Sequence, residues 1–152
     1  MQIIELVPEC FDVWRQKIGF LIKETILYNF GGSIVPDSYY EQTLDGLKNH
    51  LSSGDAKVFL ATEKSELLGW AWCYTIQRFD KKRLHIGNFA TMPQYRGSGV
   101  GRKIFAEVEK FARESEYDGL DLMVTESNTD AVKFYMQNDF TVERFLMKKD
   151  LK

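Results

Sequence analysis

Three glycines at alternate positions, Gly97, Gly99 and Gly101, stand between a strand-like run and an amphipathic helical run. Glycine enters left-handed backbone without steric cost and lets another group approach the main chain closely. A helix that opens directly from such a loop presents unpaired N–H groups that together carry roughly half a positive charge. The stretch Arg96-Gly97-Ser98-Gly99-Val100-Gly101-Arg102 therefore reads as a cradle for a phosphate-bearing ligand, with Arg96 and Arg102 adding charge. It also constrains the fold: a strand must deliver the chain to the loop, and a helix must carry it back over a sheet.

The flanking sequence supplies those elements. Residues 57–62, 67–77 and 84–92 read as strands, and the polar turns between them are short enough for antiparallel hairpins. Residues 3–7 form an earlier strand ended by Pro8. Phe11, Trp14, Ile18, Leu21 and Ile22 recur at helical spacing. So do Tyr40, Leu44, Leu47 and Leu51 in a second helix, for which Asp37 or Ser38 is the expected cap. After the glycines, Val100, Ile104, Val108 and Phe111 mark one helix face. A strand over 119–124, a short helix over 128–138 and a last strand over 140–149 complete the chain. The order predicts a layered sheet with helices on its faces, part antiparallel and part parallel.

Composition narrows the function. A chain of 152 residues is one domain, spanning 1–152. Its 20 basic and 22 acidic residues leave a net charge of −2, which argues against gripping nucleic acid or an anionic membrane. Cys10, Cys73, His50 and His85 match no metal-ligand spacing, so no metal is expected. With no disulfide framework, signal peptide or membrane-length apolar run, a cytoplasmic location is expected.

The identity of the phosphate ligand is less direct. A Walker loop ends Gly-Lys-Ser/Thr, whereas this one ends Gly101-Arg102-Lys103. The dinucleotide fingerprint G-x-G-x-x-G is not met either, because the spacing here is G-x-G-x-G. On the glycines alone, a plain turn or a mononucleotide-binding regulatory domain stays open. A second block lies downstream: Asn128, Ala131, Phe134, Tyr135 and Phe140. Together the two blocks resemble the GNAT superfamily of acetyl-coenzyme A-dependent N-acetyltransferases. Its Gln/Arg-x-x-Gly-x-Gly/Ala loop is matched by Arg96, Gly99 and Gly101, and its Asn-x-x-Ala-x-x-Phe-Tyr run by the second block. The match is clear over 84–151, and the element order agrees over the whole chain.

The resemblance implies an α+β (mixed α/β), three-layer fold. Its centre is a mostly antiparallel twisted sheet of about six to seven strands, with helices on both faces. It implies direct transfer of acetyl from acetyl-coenzyme A, without a metal, to a small-molecule or peptide amine; a homodimer is admitted. The main chain of Phe89, Ala90, Thr91 and Met92 would bond the pantetheine arm. N–H groups of Gly97, Ser98, Gly99, Val100 and Gly101, with Arg96 and Arg102, would hold the pyrophosphate. Asn128 would face the pantetheine, and Tyr135 the departing thiolate. The residues themselves also allow Asn128 to be a helix cap and Tyr135 a packing residue.

Three positions depart from the family pattern. Gly87 stands where members often carry a Glu acting as base through water. Asp139 replaces the Gly before Phe140, and Thr91 replaces an aliphatic residue. Gly87 keeps alive a non-catalytic coenzyme A-binding sensor or partner module. If catalysis occurs, the proton goes to water or to another group. By strand alternation His85 shares a face with Gly87 and Phe89, and Glu24, Glu41 and Glu126 could act through water. The acceptor is expected at the loop over 28–40, with Tyr28, Phe30, Asp37, Tyr39 and Tyr40. Trp70, Trp72 and Tyr74 alternate on one strand face as packing residues. Lys81, Lys82 and Arg83 read as a solvated turn.

Overall fold

Two polar turns bring three strands side by side, and a first strand, set apart from them by two helices, adds to their edge. The computed structural model describes Met1–Lys152. In chain order the elements are β1 (Gln2–Glu5), α1 (Phe11–Asn29), α2 (Asp37–Ser53), β2 (Ala56–Glu63) and β3 (Glu66–Arg78). Then come β4 (Lys81–Thr91), α3 (Val100–Glu114), β5 (Gly119–Leu122) and α4 (Thr129–Met136). The sheet order is β1-β2-β3-β4-β5; the first four strands pair antiparallel, and β5 lies parallel to β4. Lys64 and Ser65 both take positive φ, 47° and 68°, the two-residue turn that matches strand twist.

The first three helices were legible from their apolar stripes and the last from its capping residue, and the stripes decide the layers. Ile18, Leu21 and Ile22 of α1, with Leu44, Leu47 and Leu51 of α2, cover Val58, Leu60 and Trp70 on one face. Ile104, Phe105 and Val108 of α3 cover Phe59, Ala71, Cys73 and Ile86 on the other, with Phe134 and Phe140 beside them. Neither Asp37 nor Ser38 caps α2: Pro36 holds the cap position in extended backbone, and Asp37 is already helical. Proline there pre-sets the backbone and has no N–H to leave unpaired.

Two further expectations need correction. Residues 140–149 form no strand, so the sheet has five strands and not six or seven. The apolar pattern is present, but a strand also needs an edge, and the chain leaves α4 without meeting one. Lys81, Lys82 and Arg83 are not a solvated turn; they open β4. The Lys82 backbone N–H donates to Asp118 at 2.7 Å, its ammonium lies 4.1 Å over the Tyr117 ring, and Arg83 bonds Glu143 at 2.8 Å.

One irregularity in β4 redirects the side chains at its far end. Trp72 pairs with Asn88, but its neighbour Cys73 pairs with Ile86. Gly87 is the extra residue of a β-bulge, and beyond it the in–out alternation of side chains is inverted.

Candidate active site

Strand β5 pairs only with Arg83, Leu84, His85 and Ile86 of β4. Past the bulge the two strands part, and the β4 edge carrying Phe89, Ala90 and Thr91 is unpaired on that side. Met92 comes next, its N–H donating to Leu68 at 2.8 Å on the β3 side. A peptide-like chain could lie along the open edge as an added strand.

The glycine loop closes one end of this gap. Gly97 and Gly99 take φ of 74° and 85°, where any side chain would be strained. Gly99 occupies the cap position of α3 with no capping side chain, and no acidic residue lies in the first turn. The N–H groups of Gly97, Gly99, Val100, Gly101 and Arg102 have no acceptor within the protein. Ser98 differs: its N–H donates back to the Tyr95 carbonyl at 3.3 Å, and its hydroxyl bonds the same oxygen. Gly101 has ordinary backbone; a Cβ there would sit 3.5 Å from the Phe89 ring and from Thr91 Oγ1. Arg96 leans towards α1, 4.0 Å from Glu24, with its guanidinium 6.0 Å from the centre of the Tyr28 ring. This donor array suits an anion with several oxygens, so the residues present fit a pyrophosphate.

The Phe89 ring joins that cradle to α4. It stacks on Phe134 at 5.6 Å and lies 6.2 Å from Tyr135, which also meets Phe140 at 5.5 Å. The Tyr135 hydroxyl has no hydrogen-bond partner in the protein. Burial, and then proximity to Cys73, push its pKa well above the usual phenol value, so it stays protonated. Burial likewise pushes the Cys73 thiol up to about 12. Asn128 caps α4: its Oδ1 accepts from the Ala131 N–H at 3.2 Å, and its Nδ2 donates to Asn29 at 3.1 Å. The amide thus ties the end of α1 to the start of α4. Asp139 takes the left-handed φ of 64° expected where a glycine is usual.

On the opposite sheet face, Trp70 is fully buried and donates from Nε1 to Asn88 at 3.1 Å. Trp72 Nε1 is buried with no partner. The Tyr74 ring fills the space beside Gly87, 2.8 Å from where a Cβ would be. His85 is 7% exposed, and its Nδ1 lies 2.7 Å from Asp121, which also pairs with Arg78 at 3.1 Å. Burial alone would raise the Asp121 carboxyl; its bonds with His85 and Arg78 outweigh that and hold it below the usual carboxylate range. Because of the bulge, His85 shares its face with Gly87 but not with Phe89, which packs against α4 on the other side. The alternation expected from sequence is corrected there.

The remaining candidates separate. Glu41 is bound by Arg15 at 2.8 Å, Glu24 sits beside Arg96, and Glu126 is exposed without an ion-pair partner. In the α1–α2 connection, Ile26, Phe30, Ile34, Val35, Pro36 and Tyr39 line an apolar hollow. Tyr40 belongs to the core instead, and Asp37 lies 3.8 Å from Lys23. No three His, Cys, Asp or Glu side chains gather to hold a metal, and no helix is long and apolar enough to cross a membrane. Asp121, Asn88 and Asn29 were not singled out from sequence. Their partners lie on other elements, and only the strand register and the α1–α4 approach bring them together.

Comparison with known proteins agrees with this geometry. The sequence model of the acetyltransferase (GNAT) family matches residues 14–140. An uncharacterized N-acetyltransferase of Bacillus subtilis (strain 168), YdgE, is 26% identical over 92 residues, which are 60% of this chain and 59% of that relative. The match thus spans less than two thirds of that relative's length. The fold superposes on a mutant of the BH1408 protein from Bacillus halodurans with a TM-score of 0.84, at 16% identity, over 100% of both chains. An aminoglycoside acetyltransferase from an uncultured soil metagenomic sample gives 0.73 at 18% identity, over 99% of this chain and 95% of that one.

Proposed function

The chain belongs to the acetyltransferase (GNAT) family, and from that premise we propose that it moves an acetyl group from acetyl-coenzyme A directly to an amine in a ternary complex. The supporting observation is a coincidence in space: five acceptorless N–H groups at 97–102, an unpaired β4 edge beside them, and a protonated Tyr135 on the same side. Acetyl-coenzyme A brings an activated thioester. The N–H groups of Gly97, Gly99, Val100, Gly101 and Arg102 take its pyrophosphate, and Arg102 adds charge. The main chain of Phe89, Ala90 and Thr91 aligns the pantetheine arm, while the Met92 N–H and carbonyl are already engaged by Leu68 and Tyr95. Ser98 is spent on Tyr95 and only shapes the loop. Asn128 positions the start of α4.

Tyr135 donates a hydrogen bond to the leaving sulfur. An ordinary phenol near 10 already exceeds a thiol near 8.5, by about 2 kcal/mol of unfavourable proton transfer. Burial widens that gap, so the hydrogen bond strengthens in the transition state while the proton stays largely on the phenol. No side chain replaces the absent carboxylate at Gly87. Tyr74 occupies that space, and the Nδ1 of His85 is committed to Asp121. The amine's proton therefore leaves through water, which favours acceptors partly neutral at pH 7: an α-amine near 8 costs about 1.4 kcal/mol to deprotonate, an alkyl amine near 10.4 about 4.6. The apolar hollow of the α1–α2 connection receives the acceptor's carbon skeleton.

Calorimetry on wild type and Gly99→Asp tests the placement. The variant puts a charged side chain at a left-handed position of the cradle. We expect at least about tenfold weaker acetyl-coenzyme A binding, about 1.4 kcal/mol; unchanged affinity in a folded variant would refute the site. The filled space at Gly87 also favours a second reading, a coenzyme A-binding module without turnover. Thiol release over a panel of α-, aryl and alkyl amines separates the two.

A further inference from the structure

We propose that the Tyr74 hydroxyl holds the acceptor amine and selects amines that arrive uncharged, serving the nitrogen as Tyr135 serves the sulfur; the assignment rests on the acetyl-transfer reading above. Tyr74 stands on β3 beside the bulge of β4. Its Cε1 lies 2.8 Å, and its Cδ1 3.5 Å, from the point where a Cβ of residue 87 would be. The hydroxyl oxygen, two bonds beyond Cε1, is therefore within reach of the space that a side chain at 87 would enter. Gly87 is exposed and has ordinary backbone, so that space opens to solvent.

The two phenols lie on opposite faces of the sheet. Ala71 and Cys73 of β3 join the core under α3, and Trp70 joins the core under α1 and α2. By alternation Tyr74 is in step with Trp70 and Trp72, on the α1–α2 face. Its ring centre is 6.0 Å from that of Trp72 and 5.0 Å from that of His85. Tyr135 packs with Phe89 and Phe134 on the other face. The β4 edge that opens past Ile86 runs between them. The apolar hollow belongs to the Tyr74 side: Ile26 and Val35 of its lining pack on the same core as Trp72.

The hydroxyl is free for this role. It is only partly buried and bonds no other group of the protein. Its neighbours on that face are engaged, Trp70 Nε1 with Asn88 at 3.1 Å and His85 Nδ1 with Asp121 at 2.7 Å. A neutral amine has a lone pair for the carbonyl carbon and N–H groups to donate. One N–H donates to the Tyr74 oxygen. As the N–C bond forms and the C–S bond breaks, the sulfur leaves with the bonding pair and the nitrogen turns positive. The bond to Tyr74 strengthens with that charge, and so favours the transition state over the ground state. The other N–H gives its proton to water. An ammonium ion has no lone pair to offer and finds no counter-charge here. Asp121 is held by His85 and Arg78, and the lining of the hollow carries no charge. An α-amine on an apolar residue fits both the phenol and the hollow.

Thiol release from acetyl-coenzyme A tests this in wild type and Tyr74→Phe, with phenylalaninamide as the α-amine and phenethylamine as the alkyl amine of the same skeleton. The variant keeps the ring over Gly87 and removes only an oxygen without a protein partner. Its urea-unfolding midpoint and its calorimetric affinity for acetyl-coenzyme A should therefore match wild type. Phenylalaninamide should be the better acceptor at pH 7. Its kcat should fall roughly 10- to 100-fold in the variant, the range for a hydrogen bond to a charged group. KM for the amine should change less than about threefold, and the loss should be equal at pH 7 and pH 9. A kcat within about twofold of wild type, or a loss carried wholly by KM, overturns the assignment. So does a loss that differs between the two pH values, which would make Tyr74 a base, or a preference for phenethylamine at pH 7. A wild type that releases no thiol with any α-, aryl or alkyl amine fails the acetyl-transfer reading itself, and the assignment falls with it.

Discussion

The phenol of Tyr135 packs on one side and, in the proposed reaction, acts with the other. Its ring is held among Phe89, Phe134 and Phe140, while its hydroxyl is left without a protein partner. Tyr135→Phe keeps the ring and removes only the donor. Turnover should fall roughly 10- to 10⁴-fold with acetyl-coenzyme A affinity nearly kept. Because the phenol's pKa is raised, it is protonated at pH 6 and at pH 9 alike, so the loss should be equal at both. A loss below about twofold, or one that disappears by pH 9, would mean the hydroxyl does not serve the sulfur. Asn128 is the plainer case: both ends of its amide are engaged, by Ala131 and Asn29, so the capping role read from sequence is seen directly.

Among the elements, the bulge in β4 has the widest effect. Gly87 lies under Tyr74, 2.8 Å from the position of an added Cβ. Gly87→Ala should cost about 1–2 kcal/mol in urea unfolding, and less than about 0.5 kcal/mol in a Tyr74→Ala background. Equal costs in both backgrounds would show that the contact is not what requires glycine. Alternation along 84–92 gave no sign of this bulge, since one inserted residue leaves the local pattern strand-like while reversing every later side chain. The glycine loop was legible because its requirement is local: Gly97 and Gly99 need left-handed backbone whatever surrounds them. The first three helices were legible for the same reason, each stripe being complete within its own element. The strand over 140–149 was over-read. Its pattern is local, but pairing depends on an edge elsewhere, and no pattern reports one.

For the molecule as a whole, the seam between β4 and β5 contributes to the response to acid. The Asp121 carboxyl is held below its usual range by His85 and Arg78. A depressed carboxylate contributes stability that is present above its unfolded pKa of about 3.9 and is lost as pH falls through its lower folded value. Asp121→Asn should therefore cost about 1–3 kcal/mol at pH 7, and the two unfolding curves should converge as pH falls from about 5 towards 2. A constant difference across that window would assign the loss to packing instead. The buried thiol of Cys73 has a practical corollary for any assay of turnover. With a pKa of about 12, it is thiolate in about one part in 10⁴ at pH 8 and is shielded besides. Cys10 is exposed. A chromogenic disulfide used to count released thiol will thus register one equivalent per chain from the protein itself, and a maleimide dye will mark each molecule once, at Cys10.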